Sequence, residues 1–183
     1  VSKPRPTPAM SRANIFTVVT KVKLPIDVVL PDVADHLRAQ QRVIIVAPPG
    51  AGKSTRVPPM ILDEVVDPTL SVVVLQPRRV AARTTAARIA SERGTALGTE
   101  VGYRVRHENR TSRDTRLVVL TEGMLTRMAQ NDPLLENIGC VVFDEFHERS
   151  LEADLGLAMI TEIQREVRPD LNIVVMSATM DPA

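Results

Sequence analysis

Val43-Ile44-Ile45-Val46-Ala47-Pro48-Pro49-Gly50-Ala51-Gly52-Lys53-Ser54-Thr55 decides how this chain folds. A β-branched run that feeds a glycine-containing loop ending in Lys-Ser-Thr predicts a strand, a tight turn and a helix starting at that turn. Consecutive backbone N–H groups and the positive end of a helix then converge on one point, where phosphate is favoured. Gly50, Ala51, Gly52, Lys53, Ser54 and Thr55 are therefore expected to surround the phosphates of a nucleoside triphosphate. Lys53 would reach the β- and γ-phosphates, and the Ser54 hydroxyl offers Mg²⁺ a hard oxygen ligand. Ala47 stands where the usual pattern opens with Gly, a departure that leaves the residues nearest the phosphates intact.

Working outward, short apolar runs recur at residues 72–75, 117–120, 141–143 and 173–176. Like residues 43–46, they are continuous rather than alternating, which predicts strands covered on both faces. Helical patterns at residues 24–41, 79–92, 122–130 and 151–167 separate most of them. In the last of these, Leu151, Leu155, Met159, Ile163 and Val167 recur at intervals of four and are read as core packing. Strand and helix in alternation predict an α/β fold, a mostly parallel sheet with helices on both faces. Residues 1–13 are rich in Pro, Ser and basic residues and are expected to be disordered. Residues 1–23 are accordingly read as an irregular extension and residues 24–183 as one domain.

The 183 residues suffice for one core, and 44% hydrophobic with 25% charged residues is ordinary for a globular protein. No apolar run approaches the roughly 20 residues of a membrane span, and the N-terminal stretch lacks a signal-peptide core. Cys140 is the sole cysteine, so no internal disulfide forms, and a cytoplasmic setting with Cys140 buried in a strand is expected. Net charge is only +1, yet ten of 19 arginines lie within residues 78–116 against Glu92, Glu100, Glu108 and Asp114. That local excess suits a phosphate backbone. With aromatic residues at 2%, stacking on bases would be secondary to backbone contacts.

Parallel sheets collect ligands at the carboxyl ends of their strands. There, residues 141–143 run into Asp144-Glu145-Phe146-His147-Glu148-Arg149, and residues 173–176 run into Ser177-Ala178-Thr179. Asp144 is placed to hold Mg²⁺ directly or through water, and Glu145 to orient and deprotonate a water attacking the γ-phosphate. A phosphate loop after one strand and an acidic pair after another form the equipment of a phosphate-loop NTPase.

The ordered set formed by residues 47–55, Gln76-Pro77-Arg78-Arg79-Val80-Ala81-Ala82, Thr121-Glu122-Gly123-Met124-Leu125, the acidic stretch from Asp144 and Ser177-Ala178-Thr179 resembles motifs I, Ia, Ib, II and III of superfamily 2 DExH/DEAH-type RNA helicases. Phe146, the following Glu148-Arg149-Ser150 and Leu24-Pro25 are similar to the bacterial HrpB-type branch. The resemblance covers nearly the whole chain from Leu24 and implies a RecA-like ATP-binding domain that uses ATP and Mg²⁺ and engages single-stranded nucleic acid, RNA in particular.

The same resemblance implies roles for further residues. His147 would link hydrolysis to strand movement, and Arg88 would stack on adenine. Arg79 and Thr121 would contact the nucleic-acid backbone, and Arg106, in Val101-Gly102-Tyr103-Arg104-Val105-Arg106, would touch RNA from a hook-like turn. Ser177 and Thr179 would couple ATP turnover to unwinding. Family members complete the nucleotide site with a second RecA-like domain that supplies arginine fingers, and nothing here resembles its motifs. The isolated chain is therefore expected to bind nucleotide weakly and hydrolyse it poorly, since an arginine finger is worth about 10³ to 10⁵ in rate. Two readings stand at this point: half of an ATP-driven helicase motor, or a non-hydrolysing nucleotide- or RNA-binding module.

Overall fold

The computed structural model describes residues 23–179; the expected N-terminal extension lies outside them but for Lys23. A short 3-10 turn, Pro25–Val28, leads into α1 (Leu30–Gln40), β1 (Arg42–Val46) and α2 (Lys53–Glu64). There follow β2 (Ser71–Gln76), α3 (Arg79–Arg93), β3 (Val101–Val105), β4 (Glu108–Arg110), β5 (Leu117–Thr121) and α4 (Glu122–Asn131). The last elements are β6 (Ile138–Phe143), a 3-10 turn at Phe146–Glu148, α5 (Leu151–Glu166) and β7 (Asn172–Ser177). The strands form one seven-stranded sheet in the order β1-β7-β6-β2-β5-β3-β4, parallel throughout except for β4 against β3. Every parallel strand thus delivers its carboxyl end to the same edge.

The continuous apolar runs have the expected meaning in the middle of this sheet. Val72 and Val74 of β2, with Cys140 and Val142 of β6, face a core shared with α1, α2 and α3. Their neighbours Val73, Leu75, Val141 and Phe143 face a second core shared with α4 and α5. Both side-chain sets are buried because successive residues of a strand point to opposite faces and each face carries helices.

Three expectations fail in whole or in part, each for a geometric reason. β1 lies at the sheet edge, and while Ile45 is buried, Ile44 and Val46 remain 57% and 50% exposed. The helices of that face, α4 and α5, pack on β2, β5, β6 and β7 instead. Of the residues at intervals of four in α5, Met159 and Ile163 pack against the core and the others do not. Ala153, Gly156, Ile160 and Gln164 are buried, whereas Leu151, Leu155 and Val167 are exposed. Four residues advance about 40° beyond a full helical turn, so such a series winds around the helix rather than along one face. The helix expected from residue 24 starts only at Leu30, because the chain first makes the 3-10 turn.

Candidate nucleotide and nucleic-acid site

The loop between β1 and α2 closes through two glycines in the left-handed region, Gly50 (φ +78) and Gly52 (φ +97). At Gly52 the reason is double, since a Cβ would also come within 2.6 Å of Leu24 Cδ1. Gly52 caps α2, so the first free N–H groups of that helix point into the loop. Lys53 is buried, and its Nζ donates to the Ala47 carbonyl and to that of Pro48 at 3.2 Å. The ammonium is held at the mouth of the loop. The cleft above, about 300 Å³, is bordered by Gly50, Gly52, Lys53, Ser54, Arg88 and Glu145 among others.

Asp144 is the polar centre of this edge. It follows β6 directly, is only 3% exposed, and its amide donates to the Leu75 carbonyl at 3.1 Å. Gln76 Nε2 donates to Oδ2 at 2.6 Å and the Glu145 amide donates to Oδ1 at 2.9 Å, with the Ser54 hydroxyl close enough to lower the carboxyl's pKa. Burial pushes the Asp144 carboxyl above the usual aspartate range, while the bonds from Ser54, the Glu145 amide and Gln76 oppose that rise. The two oxygen donors expected at Mg²⁺, Ser54 and Asp144, are thus neighbours at the phosphate loop. A hydroxyl and a carboxylate at one phosphate loop fit Mg²⁺, which takes one or two protein oxygens and completes its shell with phosphates and water. Gln76 opens one of the sequence motifs but carries no expected role of its own; its position at the end of β2, next to β6, is the signal that marks it.

Glu145 sits in left-handed backbone (φ 53, ψ 35), and Arg149 at the far side of the 3-10 turn is left-handed too. Such conformations cost about 1–3 kcal/mol each in a non-glycine residue and persist where surrounding contacts enforce them. Here the contacts are visible. Phe146 packs edge-on to Phe143 with centroids 6.2 Å apart, and Arg149 lies over the Phe146 ring at 5.6 Å. Glu148 pairs with Arg78 at 3.0 Å, and Ser150 donates to the Glu122 carboxylate while capping α5 at the Ala153 amide. His147 Nδ1 accepts from the Ala178 amide and lies 3.5 Å from Glu145 Oε2. The turn carrying the acidic pair is therefore fastened to the ends of β2, β5 and β7.

The remaining expected residues divide along the edge. Arg88, on α3, reaches the rim of the cleft and is bound by Glu92 at 2.6 Å. Ser177 is buried at the end of β7, where its hydroxyl donates to the Thr179 carbonyl, and its own carbonyl accepts from the Ala47 amide at 3.2 Å. Arg79 opens α3 after β2, Thr121 ends β5, and Arg106 follows β3; these three strands are neighbours, with Gln76 in register with Thr121. The residues expected at the nucleotide, Arg88 on α3 excepted, thus lie on the β1-β7-β6 half of the edge, and Arg79, Arg106 and Thr121 on the β2-β5-β3 half. The hairpin of β3 and β4 was not read as strands in the sequence. Tyr103 donates to Glu108, and Arg83 pairs with the same carboxylate, which anchors the hairpin to α3.

A parallel sheet with a phosphate loop on its edge strand, an acidic turn two strands away and a third turn between them defines a RecA-like phosphate-loop nucleotide-binding domain. Comparison with known proteins then places the chain. Residues 31–183 match the DEAD/DEAH box helicase family, and the chain belongs to that family. It is 46% identical over 160 residues to the ATP-dependent RNA helicase HrpB of Escherichia coli, covering 86% of this chain and 19% of that protein. It is 40% identical over 151 residues to the probable ATP-dependent RNA helicase DHR2 of Saccharomyces cerevisiae, covering 81% and 20% respectively. The crystal structure of Escherichia coli DEAH/RHA helicase HrpB superposes with a TM-score of 0.81 at 46% identity, over 87% of this chain and 20% of that one. The chain spans about a fifth of the relatives it matches. No helix among the described residues is long and apolar enough to cross a membrane.

Proposed function

We propose that residues 24–183 are the first RecA-like half of an ATP-dependent RNA helicase, acting in a reducing cytoplasm. It binds Mg-ATP and, completed by a second RecA-like domain, hydrolyses it to move on or unwind RNA. The observation that carries this reading is the buried Asp144 at the end of β6, held by Gln76, with Ser54 and Glu145 both bordering the cleft at the phosphate loop. Backbone N–H groups of residues 50–55 and the Lys53 ammonium would hold the phosphates, and Arg88 would cover the base. Ser54 and Asp144 would hold Mg²⁺, which when bound neutralises charge on the β- and γ-phosphates. Glu145 would accept a proton from the water whose oxygen attacks the γ-phosphorus, as the bond to the β–γ bridging oxygen breaks and ADP leaves.

On the other half of the edge, Arg79, Arg106 and Thr121 would contact the backbone of single-stranded RNA. His147, after β6, and Ser177 and Thr179, after the body of β7, would pass the state of one half to the other. The test is nucleotide turnover by this chain and by the chain joined to its second domain, each with and without single-stranded RNA, alongside Glu145→Gln. RNA-stimulated turnover in the joined form that Glu145→Gln abolishes is expected. Saturable ATP binding without turnover in either form would instead leave a non-hydrolysing binding module.

A further inference from the structure

Glu92 lies on the last turn of α3 and borders the same cleft as the phosphate loop. Its side chain is 16% exposed and serves two cations at once. Oε1 accepts from Arg88 Nε at 2.6 Å, and Oε2 lies 3.3 Å from Arg56 Nη1. Arg56, buried in α2, in turn has Nε 3.6 Å from Asp27 Oδ1. The other oxygen of Asp27 accepts from the Leu24 amide at 2.8 Å, and Leu24 packs against Gly52 of the phosphate loop. The Ile26 amide donates to the Ala51 carbonyl at 3.0 Å, which pins the same turn to the loop. Two cations and two carboxylates therefore form a line from the rim of the cleft, beneath it, to the segment against the loop.

An exposed ion pair four residues apart on a helix is usually worth little. This one differs because its acid is mostly buried and is shared with a buried arginine. Arg88 itself is 68% exposed, a long side chain with many rotamers, and its Nε is tied to Glu92. A guanidinium held by Nε has lost the rotation of its plane and presents a flat cationic surface at the cleft. Preorganising that surface removes an ordering cost that a bound base would otherwise bear.

We propose that Glu92 is a positioning residue for the nucleotide: it holds Arg88 as the platform for the base and joins that platform, through Arg56 and Asp27, to the turn that buttresses the phosphate loop. This rests on the reading of the cleft as the nucleotide site. The side chains that Glu92 meets are those of Arg88 and Arg56, so its effect is expected at the base end of the cleft.

The test is calorimetric titration of this chain with Mg-ATP and, separately, with Mg-tripolyphosphate, which has the phosphates and no base. Arg88→Ala and Glu92→Gln are each expected to weaken Mg-ATP about tenfold, the size of a cation–π platform. Tripolyphosphate affinity is expected to stay within about twofold in both, because the phosphate loop is untouched. The double variant is expected to lose no more than either single one, since both act through the same guanidinium. Glu92→Asp, which keeps the charge but withdraws it by one methylene, is expected to fall between parent and Glu92→Gln. Unchanged ATP affinity in Glu92→Gln, or multiplied losses in the double variant, would overturn the proposal. So would loss of tripolyphosphate in both Glu92 variants, which would make Glu92 a structural support of the loop. If the parent chain binds neither ligand, the nucleotide-site reading has failed, and this inference with it.

Discussion

The Ala178 amide donates to His147 Nδ1 at 3.2 Å, so the turn after β7 and the turn after β6 are joined by a single bond through an imidazole. A ring nitrogen that accepts carries no hydrogen, and the neutral ring must then hold its proton on Nε2. Glu145 Oε2 is 3.5 Å from the same Nδ1. Nδ1 can serve the Ala178 amide when it is bare or the Glu145 carboxylate when it is protonated, but not both. His147→Ala is expected to raise the hydrogen-exchange rate of the Ala178 amide about fivefold, the worth of one ordinary hydrogen bond. Mg-ATP affinity is expected to move less than about twofold, because the phosphate loop lies elsewhere. Amide exchange followed by NMR checks the first, and titration the second.

Gly102, early in β3, and Gly123, in the first turn of α4, are expected to respond oppositely to alanine. A Cβ at Gly102 would meet the Arg110 carbonyl inside van der Waals contact and Thr111 Cγ2 at 2.9 Å. Backbone atoms cannot retreat as a flexible side chain can, so Gly102→Ala is expected to cost about 1–3 kcal/mol and to displace the hairpin bearing Arg104 and Arg106. A Cβ at Gly123 meets nothing within 4 Å, and the residue lies in the first turn of α4. Gly123→Ala is expected to leave stability unchanged or to raise it by up to about 1 kcal/mol, from helix propensity. Urea denaturation separates the two. If Gly123→Ala also weakens binding of single-stranded RNA, the open space over Gly123 is where the RNA backbone passes.

What was legible in the sequence follows from the parallel sheet. Once five apolar runs are strands in parallel, whatever follows each run must gather on one edge, and the loop at Gly50, the Asp144 pair, Thr121 and Ser177 do so. Strand order was not legible. It decides that β1 is an edge strand, and so that Ile44 and Val46 are exposed despite a sequence like that of a buried strand. The line from Arg88 through Glu92 and Arg56 to Asp27 was hidden for a related reason. Its members come from three elements, and nothing in a helical charge pattern distinguishes a solvated Glu92 from one that shares two arginines.

Cys140 offers a direct gauge of global opening. It sits in β6, fully buried between β2 and β7, and burial pushes its thiol well above the usual cysteine range. Only the thiolate is the nucleophile, and in the folded chain it is both disfavoured and out of reach. Alkylation by a small maleimide is expected to be undetectable under native conditions at neutral pH. With added urea it should follow the same transition as the far-ultraviolet circular dichroism. Labelling before that transition would mean that β6 opens on its own.

Arg168 and Asp170, between α5 and β7, make a stability device with a calculable pH sign. Arg168 donates through Nη1 to the carbonyls of Leu134 and Leu135, at 2.9 and 2.7 Å, and through Nη2 to that of Ile138 at 3.0 Å. It staples the loop before β6 to the loop before β7, and Asp170 Oδ2 accepts from it at 2.8 Å. Removing the guanidinium takes a charged donor from three carbonyls, of which that of Leu135 still accepts from the Ile138 amide, so Arg168→Ala is expected to cost about 1–3 kcal/mol. Asp170 is mostly exposed, and Asp170→Asn is expected to cost no more than about 1 kcal/mol at neutral pH. The bond from Arg168 holds the Asp170 carboxyl below its ordinary value of 3.8 in the folded chain. A lowered folded value means that the unfolded chain takes up the proton first. The contribution of Asp170 is therefore complete above the ordinary aspartate range and is lost as pH falls through the lowered folded value. The stability gap between parent and Asp170→Asn should accordingly be constant from neutral pH down to about 5 and close as the solution is acidified further. In Arg168→Ala the main cause of the shift is gone and only the backbone bond at Asp170 still lowers it, so adding Asp170→Asn should change little at any pH. A gap that persists in the Arg168→Ala background would assign the effect of Asp170 to the loop itself rather than to the staple.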